Sequence, residues 1–298
     1  MIAIRFCVLG ILPGAALALA VALQAAATAS EPPPLAKPAD APHQAAANSQ
    51  PGEDRPLLPV LQEARQMIDS IEKNVQDYSA VLVRSERADD ETSDNCMFLK
   101  VRHKPFSVYL HFLDPPPQNG KPAPANRKGE EAIYVEGRND NKILGHTTGM
   151  LGQWLGTLSL DPNGPIAMRG QRHPITDIGV LSMTRQIANF AEKNLDASRC
   201  QVQCTAGAKI NDRVCTCTEL VRPVYSTEVR SYLARVFVDD QLHLPLRYEL
   251  YVWPQKADAE PALLEAYTYL DLRLNNGYTD ADFDPRNPNY GFAEGATK

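Results

Sequence analysis

The apolar residues of this chain change period at Tyr78, and that change constrains the fold more than any other feature. Leu57, Leu61, Ala64, Ile68, Ile71, Val75 and Tyr78 recur at spacings of four and three. Such spacing is the mark of one apolar stripe on an amphipathic helix. From Tyr78 onward the period is two. Tyr78 to Arg87, Cys96 to His103, Phe106 to Leu113 and Ala132 to Glu136 read as strands. They are separated by the acidic turn Ala88 to Asp94, by Lys104-Pro105 and by the proline-rich loop Asp114 to Glu130. Val135 to Ile143 reads as a strand, a tight turn and a further strand. Gly149 to Gly170 is irregular and holds Trp154. A second helix is predicted from Gly179 to Asn194, with Val180, Met183, Ile187 and Phe190 on one stripe. Strands then resume at Cys200 to Thr205, Val214 to Arg222, Glu228 to Asp239, Leu246 to Trp253 and Leu263 to Leu272. About eleven strands with short turns, and helices at only two places, predict an α+β domain. Its sheet is antiparallel and strongly curved, and it wraps around the helices. The domain spans 57–292, leaving 293–298 as a tail.

Ahead of the domain lie two segments of different character. Met1 to Ala29 has one charged residue, Arg5, then an apolar run from Phe6 to Leu23 and the exit Ala27-Thr28-Ala29. A basic start, an apolar middle and a small-x-small exit are the layout of a signal peptide, cleaved near Ala29. The alternative is a retained anchor, since the run is about long enough to span a bilayer. Gly10, Pro13 and Gly14 interrupt it, which favours cleavage and export to the periplasm. Residues 30–56 are rich in proline and alanine and poor in large apolar side chains, so they are predicted to be a disordered linker.

Charge and motif content narrow the function classes. Removing Arg5 from the 30 basic residues leaves 29 against 36 acidic ones, a net charge of −7. Nucleic acid is therefore not an expected partner, because phosphate neutralisation needs clustered Lys and Arg. There is no G-x-S-x-G elbow, P-loop or dinucleotide fingerprint, so no enzyme and no cofactor is predicted. Asp280-x-Asp282-x-Asp284 is not an EF-hand loop, because Pro285 and Gly291 stand where glycine and a bidentate acid are required. The six histidines, His43, His103, His111, His146, His173 and His243, show no metal-binding spacing, so no metal is predicted either.

Five cysteines follow the export segment: Cys96, Cys200, Cys204, Cys215 and Cys217. In an oxidising compartment pairing is the default. Cys200 and Cys204 flank one arm of a hairpin, and Cys215 and Cys217 the other. A bridge from Cys204 to Cys215 or Cys217 is favoured, and free thiols or zinc held by four thiolates are the alternatives. Cys96 reads as a buried strand cysteine rather than a nucleophile.

The opening helix, Tyr78-Ser79-Ala80-Val81-Leu82 and the tract Phe98 to Leu110 containing Lys104-Pro105 resemble the start of the periplasmic lipoprotein-carrier family of LolA and LolB. The amino-terminal domain of the sigma-factor regulator RseB shares that fold. Val236 to Pro245, followed by Arg247-Tyr248-Glu249-Leu250-Tyr251, resembles the family's later hairpin, and Leu272 to Asp284 its closing segment. Arg172-His173-Pro174-Ile175-Thr176-Asp177-Ile178-Gly179 with Asn287-Pro288-Asn289-Tyr290-Gly291-Phe292 is similar to an uncharacterised, planctomycete-type bacterial family, domain of unknown function 1571. The resemblance implies a LolA-like unclosed β-barrel, apolar within and lidded by helices.

Met97, Leu99, Val101, Phe106, Val108, Leu110, Phe112, Ile133 and Val135 are the candidates to line its concave surface. If they leave a cavity, it suits an acyl chain, and the protein is a non-enzymatic binding module for a lipid or lipoprotein. If they close as core, an envelope-sensing or protein-interaction domain with an envelope protein partner is the alternative.

Overall fold

The structure is a computed structural model that describes residues 52–88, 91–114, 127–148, 156–196, 199–225, 231–256 and 259–292. The expected signal peptide, most of the expected linker, Trp154 and the tail lie outside these residues.

Twelve strands form one sheet, in the order β1-β8-β9-β10-β11-β12-β2-β3-β4-β5-β6-β7. The strands in chain order are β1 (Glu53–Arg55), β2 (Asp77–Ala88), β3 (Glu91–Arg102), β4 (Ser107–Leu113), β5 (Glu131–Val135), β6 (Ile143–His146) and β7 (Thr157–Leu160). Then come β8 (Gln201–Ile210), β9 (Arg213–Val221), β10 (Ser231–Asp239), β11 (Pro245–Val252) and β12 (Leu263–Leu274). Every pairing is antiparallel. The sheet begins at β1 and ends at β7, so the barrel is unclosed. β1 lies in the stretch expected to be a disordered linker, where it pairs with β8 through Glu53 to Cys204. β7 lies in the stretch expected to be irregular. β2 and β3 pair further than the acidic stretch Ala88 to Asp94 suggests, since pairing continues to Ala88 and Glu91.

Two helices lie against one face: α1 (Leu57–Asn74) and α2 (Val180–Asn194). The helix ends at Asn74 and Val75 turns extended, but Val75 and Tyr78 continue its apolar stripe into the same core. Ile68 and Ile71 of α1 pack with Val180, Leu181 and Met183 of α2. On the strand side they meet Tyr78, Ala80 and Leu82 of β2, Met97, Leu99 and Val101 of β3, and Val108, Leu110 and Phe112 of β4. Strand register puts these side chains on one face, since Leu82 lies opposite Met97, Leu99 opposite Leu110, and Val101 opposite Val108.

The start of α2 depends on that packing. Its N-cap is Gly179, whose φ of 117° and ψ of 159° are open to glycine and to almost nothing else. A Cβ there would stand 2.6 Å from the Tyr78 hydroxyl. No N-cap side chain satisfies the first turn. Instead the Gly179 N–H donates to the Tyr269 hydroxyl at 3.1 Å and the Val180 N–H to the Tyr78 hydroxyl at 3.0 Å. Two fully inward tyrosines thus serve amides that would otherwise be orphaned in the core.

The outer side of β3–β5 is covered by the C-terminal segment. Asp77 accepts the N–H groups of Asn276 (2.6 Å), Gly277 (3.1 Å) and Tyr278 (3.2 Å), which anchors the segment after β12. Phe283 and Phe292 then pack on Tyr109, Ile133 and Val135. Tyr290 stacks on Tyr109 at 4.0 Å, and the Lys100 ammonium sits 5.0 Å from the Tyr278 ring centre and 3.2 Å from Asp282. Asp280 pairs with Arg102 and Arg138, and Asp284 with Arg286, so the three acids of 280–284 each face a cation.

Candidate functional site

Five inward positions of β2 run Tyr78, Ala80, Leu82, Arg84 and Glu86. The alternation that buries three apolar side chains therefore carries two charged ones onto the same face, 6% and 1% exposed. Across β12, Arg84 lies opposite Tyr267 and Glu86 opposite Glu265. On β11, Tyr248 follows Tyr267 and Leu250 follows Glu265. β10 adds Val236 and Ala234, and β9 adds Thr218 and Leu220. Two rows thus cross the concave face, polar on β2 and β12 and apolar on β10 and β9.

Between these rows and the helices lies a cavity of about 430 Å³. Its apolar wall includes Leu220, Leu233, Ala234, Val236 and Leu250 from the sheet, with Leu61, Met67, Ile187 and Phe190 from the helices. Its volume falls within the ~300–1,000 Å³ usual for ligand sites. Glu63 and Phe190 are exposed at its helix side, where it meets solvent.

The polar end is a network. Two carboxylates directly opposite each other on a buried face repel unless cations and donors answer them. Here the segment before α2 supplies those groups. The Arg172 N–H donates to Glu86 Oε2 at 3.3 Å, and the Tyr267 hydroxyl donates to Glu86 Oε1. The Arg172 guanidinium donates to Glu265 Oε2 at 2.6 Å, and His173 Nε2 lies 3.1 Å from the same oxygen. Burial acts to raise the Glu265 carboxyl, but His173 and Arg172 outweigh it and hold it below its ordinary value. The hydrogen bond to Glu265 in turn raises His173. Burial, then the charges of Glu265 and Glu86, drive the Tyr267 phenol well up, so it stays a donor. Arg84 is the incompletely answered member. Its Nη1 donates to Gln171 Oε1 at 3.1 Å and its Nε lies 3.8 Å from Glu86 Oε2. Nε and Nη2 have no hydrogen-bond partner among the described residues.

The nine apolar candidates divide four ways. Leu110 lines the cavity. Val101 and Phe106 line a second cleft of about 370 Å³, together with Tyr134 and His103. Met97, Leu99, Val108 and Phe112 are closed core beneath the helices, each no more than 4% exposed. Ile133 and Val135 are not on the concave face at all. Val108 pairs with Tyr134, so Ile133 and Val135 point outward and are buried under Phe283 and Phe292. Apolarity alone groups these two with the others, whereas parity separates them. The cavity is displaced from the expected β3–β5 region to β9–β12. Arg84, Glu86, Arg172, His173 and Glu265 escape a reading based on apolar rows. The signal was present in β2, where inward alternation runs from Leu82 into Arg84 and Glu86.

The expected bridge across the β8–β9 hairpin does not form. The five described cysteines are unpaired. Cys204 lies opposite Thr218, which lines the cavity, whereas Cys217 lies opposite Thr205 on the other face and packs with Cys215 and Ala208. A bridge from Cys204 to either would have to cross the plane of the sheet. Burial pushes the Cys217 thiol up to about 12 and that of Cys215 up to about 11, and it raises Cys96, so all three are held as thiols. His103 and His111 lie on opposite faces: His103 borders the second cleft on the inner side, and His111 lies 3.4 Å from Glu131, which holds the outer C-terminal segment through the Gly291 N–H.

Several solved structures are similar to the chain. The lipoprotein LppX of Mycobacterium tuberculosis matches with a TM-score of 0.40 and 13% identity over 76% of this chain and 100% of its own. MucB matches with a TM-score of 0.40 and 11% identity over 76% of this chain and 62% of its own. A LolA superfamily protein from Nitrosomonas europaea matches with a TM-score of 0.29 and 12% identity over 75% and 97%. No curated protein matches the chain. The family described as protein of unknown function (DUF1571) matches residues 75–292, from the end of α1 through the C-terminal segment that covers the outer side of β3–β5. That match spans the sheet from β2 to β12, both rows of the cavity wall and the network around Glu265, and the chain belongs to the DUF1571 family.

Proposed function

We propose that the protein is an exported, non-enzymatic binding module that holds the acyl chain of a lipid or lipoprotein in the cavity between β9–β12 and the two helices. The observation that carries this reading is the cavity of about 430 Å³ whose wall is mainly Leu, Val, Ala, Ile and aromatic side chains. Each methylene buried there contributes ~0.8 kcal/mol. The network at Glu86 and Glu265 ties the segment 171–173 to the sheet, and this segment leads directly into α2, so it is the natural hinge of a lid formed by α2.

Mass spectrometry of protein purified without detergent should find a co-purifying lipid. After delipidation, a fluorescent acyl probe should bind and be displaced by fatty acid. Ala234→Trp, which fills the apolar wall, should abolish probe binding while the thermal melt remains cooperative. Leu99→Arg, which places an unpaired charge in closed core, should unfold the domain instead. Delipidated wild-type protein that binds no probe would refute the acyl-chain reading and leave the protein-interaction reading in its place.

A further inference from the structure

The cavity is apolar along most of its length, but one end presents a buried guanidinium. Arg84 projects from β2 onto the concave face, is 6% exposed and lines the cavity. A guanidinium carries five N–H donors in a planar fork. Here Nη1 alone has a hydrogen-bonded acceptor, the side-chain oxygen of Gln171, and Nε and Nη2 have none among the described residues. The nearby carboxylates do not take up those donors. Glu86 receives the Tyr267 hydroxyl on one oxygen and the Arg172 N–H on the other, and its nearest approach to Arg84 Nε is 3.8 Å. Glu265 is held by Arg172 and His173. Arg172 and His173 thus answer Glu265, while Arg84, with Glu86 as its counter-charge at 3.8 Å, keeps two buried donors that no hydrogen bond takes up among the described residues.

From this arrangement we infer that Arg84 receives the oxyanion headgroup of the amphiphile, a carboxylate or a phosphate, while the alkyl chain lies along the apolar wall toward Ala234 and Leu220. The inference rests on the acyl-chain reading of the cavity and adds the chemistry of the head. The planar fork of arginine matches a two-oxygen acceptor, and such charge-assisted bonds are about twice as strong as neutral ones. Gln171, whose own amide donates to the Ala167 carbonyl at 2.9 Å, holds Arg84 in place from the segment before α2. A bound oxyanion would join Arg84 to that segment.

The test compares amphiphiles of one chain length on the delipidated full chain, by displacement of a fluorescent acyl probe. Palmitate, lysophosphatidate and the uncharged monoglyceride of palmitic acid are the three arms. Palmitate or lysophosphatidate should displace the probe at a concentration at least about tenfold lower than the monoglyceride, and the better of the two identifies the source of the oxyanion. In Arg84→Gln the ratio should collapse to about one, and in Arg84→Lys a preference should survive. The ligand comparison on wild type needs no variant, so misfolding of Arg84→Gln does not blunt it. Equal displacement by all three in wild type, with the probe binding normally, overturns the headgroup assignment and leaves the cavity reading intact. Failure of the probe to bind wild type overturns both.

Discussion

Helix α2 walls one side of the cavity, and two tyrosine hydroxyls hold its first turn. Replacing Tyr78 with Phe keeps the ring, and with it the packing, but leaves the Val180 N–H without the acceptor it has at 3.0 Å. The site is sealed, since Tyr78 is 0% exposed and Val180 is 0% exposed, so water cannot replace the hydroxyl. Losing a helix cap costs ~1 kcal/mol and stranding a buried N–H ~1–3. We expect about 1–2 kcal/mol for Tyr78→Phe, and a similar loss for Tyr269→Phe at the Gly179 N–H. In a domain of this size that is roughly a 3–6 °C drop in melting temperature. Gly179→Ala should cost more, because it adds ~1–3 kcal/mol of backbone strain to a Cβ standing 2.6 Å from the Tyr78 hydroxyl. The two changes should not add. In Tyr78→Phe the nearest ring atom to that Cβ is Cζ, at 3.9 Å, so the clash vanishes and only the strain remains. A double-mutant cycle in urea should show a coupling of about 1 kcal/mol, with the double variant less damaged than the sum. Midpoints should move at constant m. If Tyr78→Phe leaves the midpoint unchanged, or if Gly179→Ala and Tyr78→Phe are strictly additive, the capping argument fails.

Three further outcomes follow from the polar contacts. The Glu265 hydrogen bond raises His173, so its stabilisation is fully present below the ordinary histidine value and is lost as pH climbs through the raised one. His173→Gln should flatten that part of the stability–pH curve, and an unchanged slope would exclude the pair as its source. Asp239 is held at about 2 by Arg213 and by the N–H groups of Leu242 and Gln241, against the opposing effect of burial. Its contribution should be complete above the usual carboxylate range and fade as pH falls toward 2. Asp239→Asn should cost roughly 1.5–3 kcal/mol at neutral pH by chemical denaturation, the worth of hydrogen bonds to a charged group, and a loss under 0.5 would contradict it. Peptide mapping without reductant should recover Cys204, Cys215 and Cys217 unlinked, whereas a Cys204–Cys217 bond would show the hairpin register to be shifted by one residue.

The strands with a clean alternation were legible because a half-buried strand must alternate. Those without one were not. Glu53–Arg55 has three residues, all polar, and Thr157–Leu160 has four, two of them leucine. Neither is long enough to set a period apart from chance, and each is a sheet-edge strand that forms by pairing with its neighbour, β8 for Glu53–Arg55 and β6 for Thr157–Leu160. β8 illustrates a different limit. Its alternation breaks between Thr205 and Ala208, where the register with β9 shifts and Gly207 takes a φ of 83°. Beyond such a bulge, parity counted from Cys204 no longer predicts which way a side chain points. That is why Ala208 packs with Cys215 on the outer face while Cys204 looks inward. In sequence the two halves of the hairpin offer a disulfide, and in three dimensions Cys204 faces one side of the sheet while Cys215 and Cys217 face the other.

The site was legible only in part, for a reason that bears on its chemistry. Rows of large apolar residues mark where a sheet is buried, and burial is satisfied best by closing the space. Met97, Leu99 and Val108 do this against Ile71 and Val180, and leave no room for a ligand. A cavity persists where the inner face carries groups that cannot be packed by hydrocarbon. On β2 and β12 these are Arg84, Glu86, Glu265 and Tyr267, and their hydrogen bonds require the polar segment 171–173 instead of a helix face. Their presence keeps the helices from settling onto β9–β12 as they do onto β2–β4. Ala234 and Thr218, small side chains facing that gap, widen it further. The charged positions that look like exceptions in an inward-facing row are thus the ones that hold the cavity open, and their substitution by apolar residues of similar size should close it. Arg84→Met with Glu86→Leu should raise the melting temperature, because replacing a buried ion pair by packed hydrocarbon is often neutral or stabilising, and should lower acyl-probe affinity together with the cavity volume seen in a crystal structure. A variant that is more stable yet binds the probe as well as wild type would show that the cavity does not depend on its charged end.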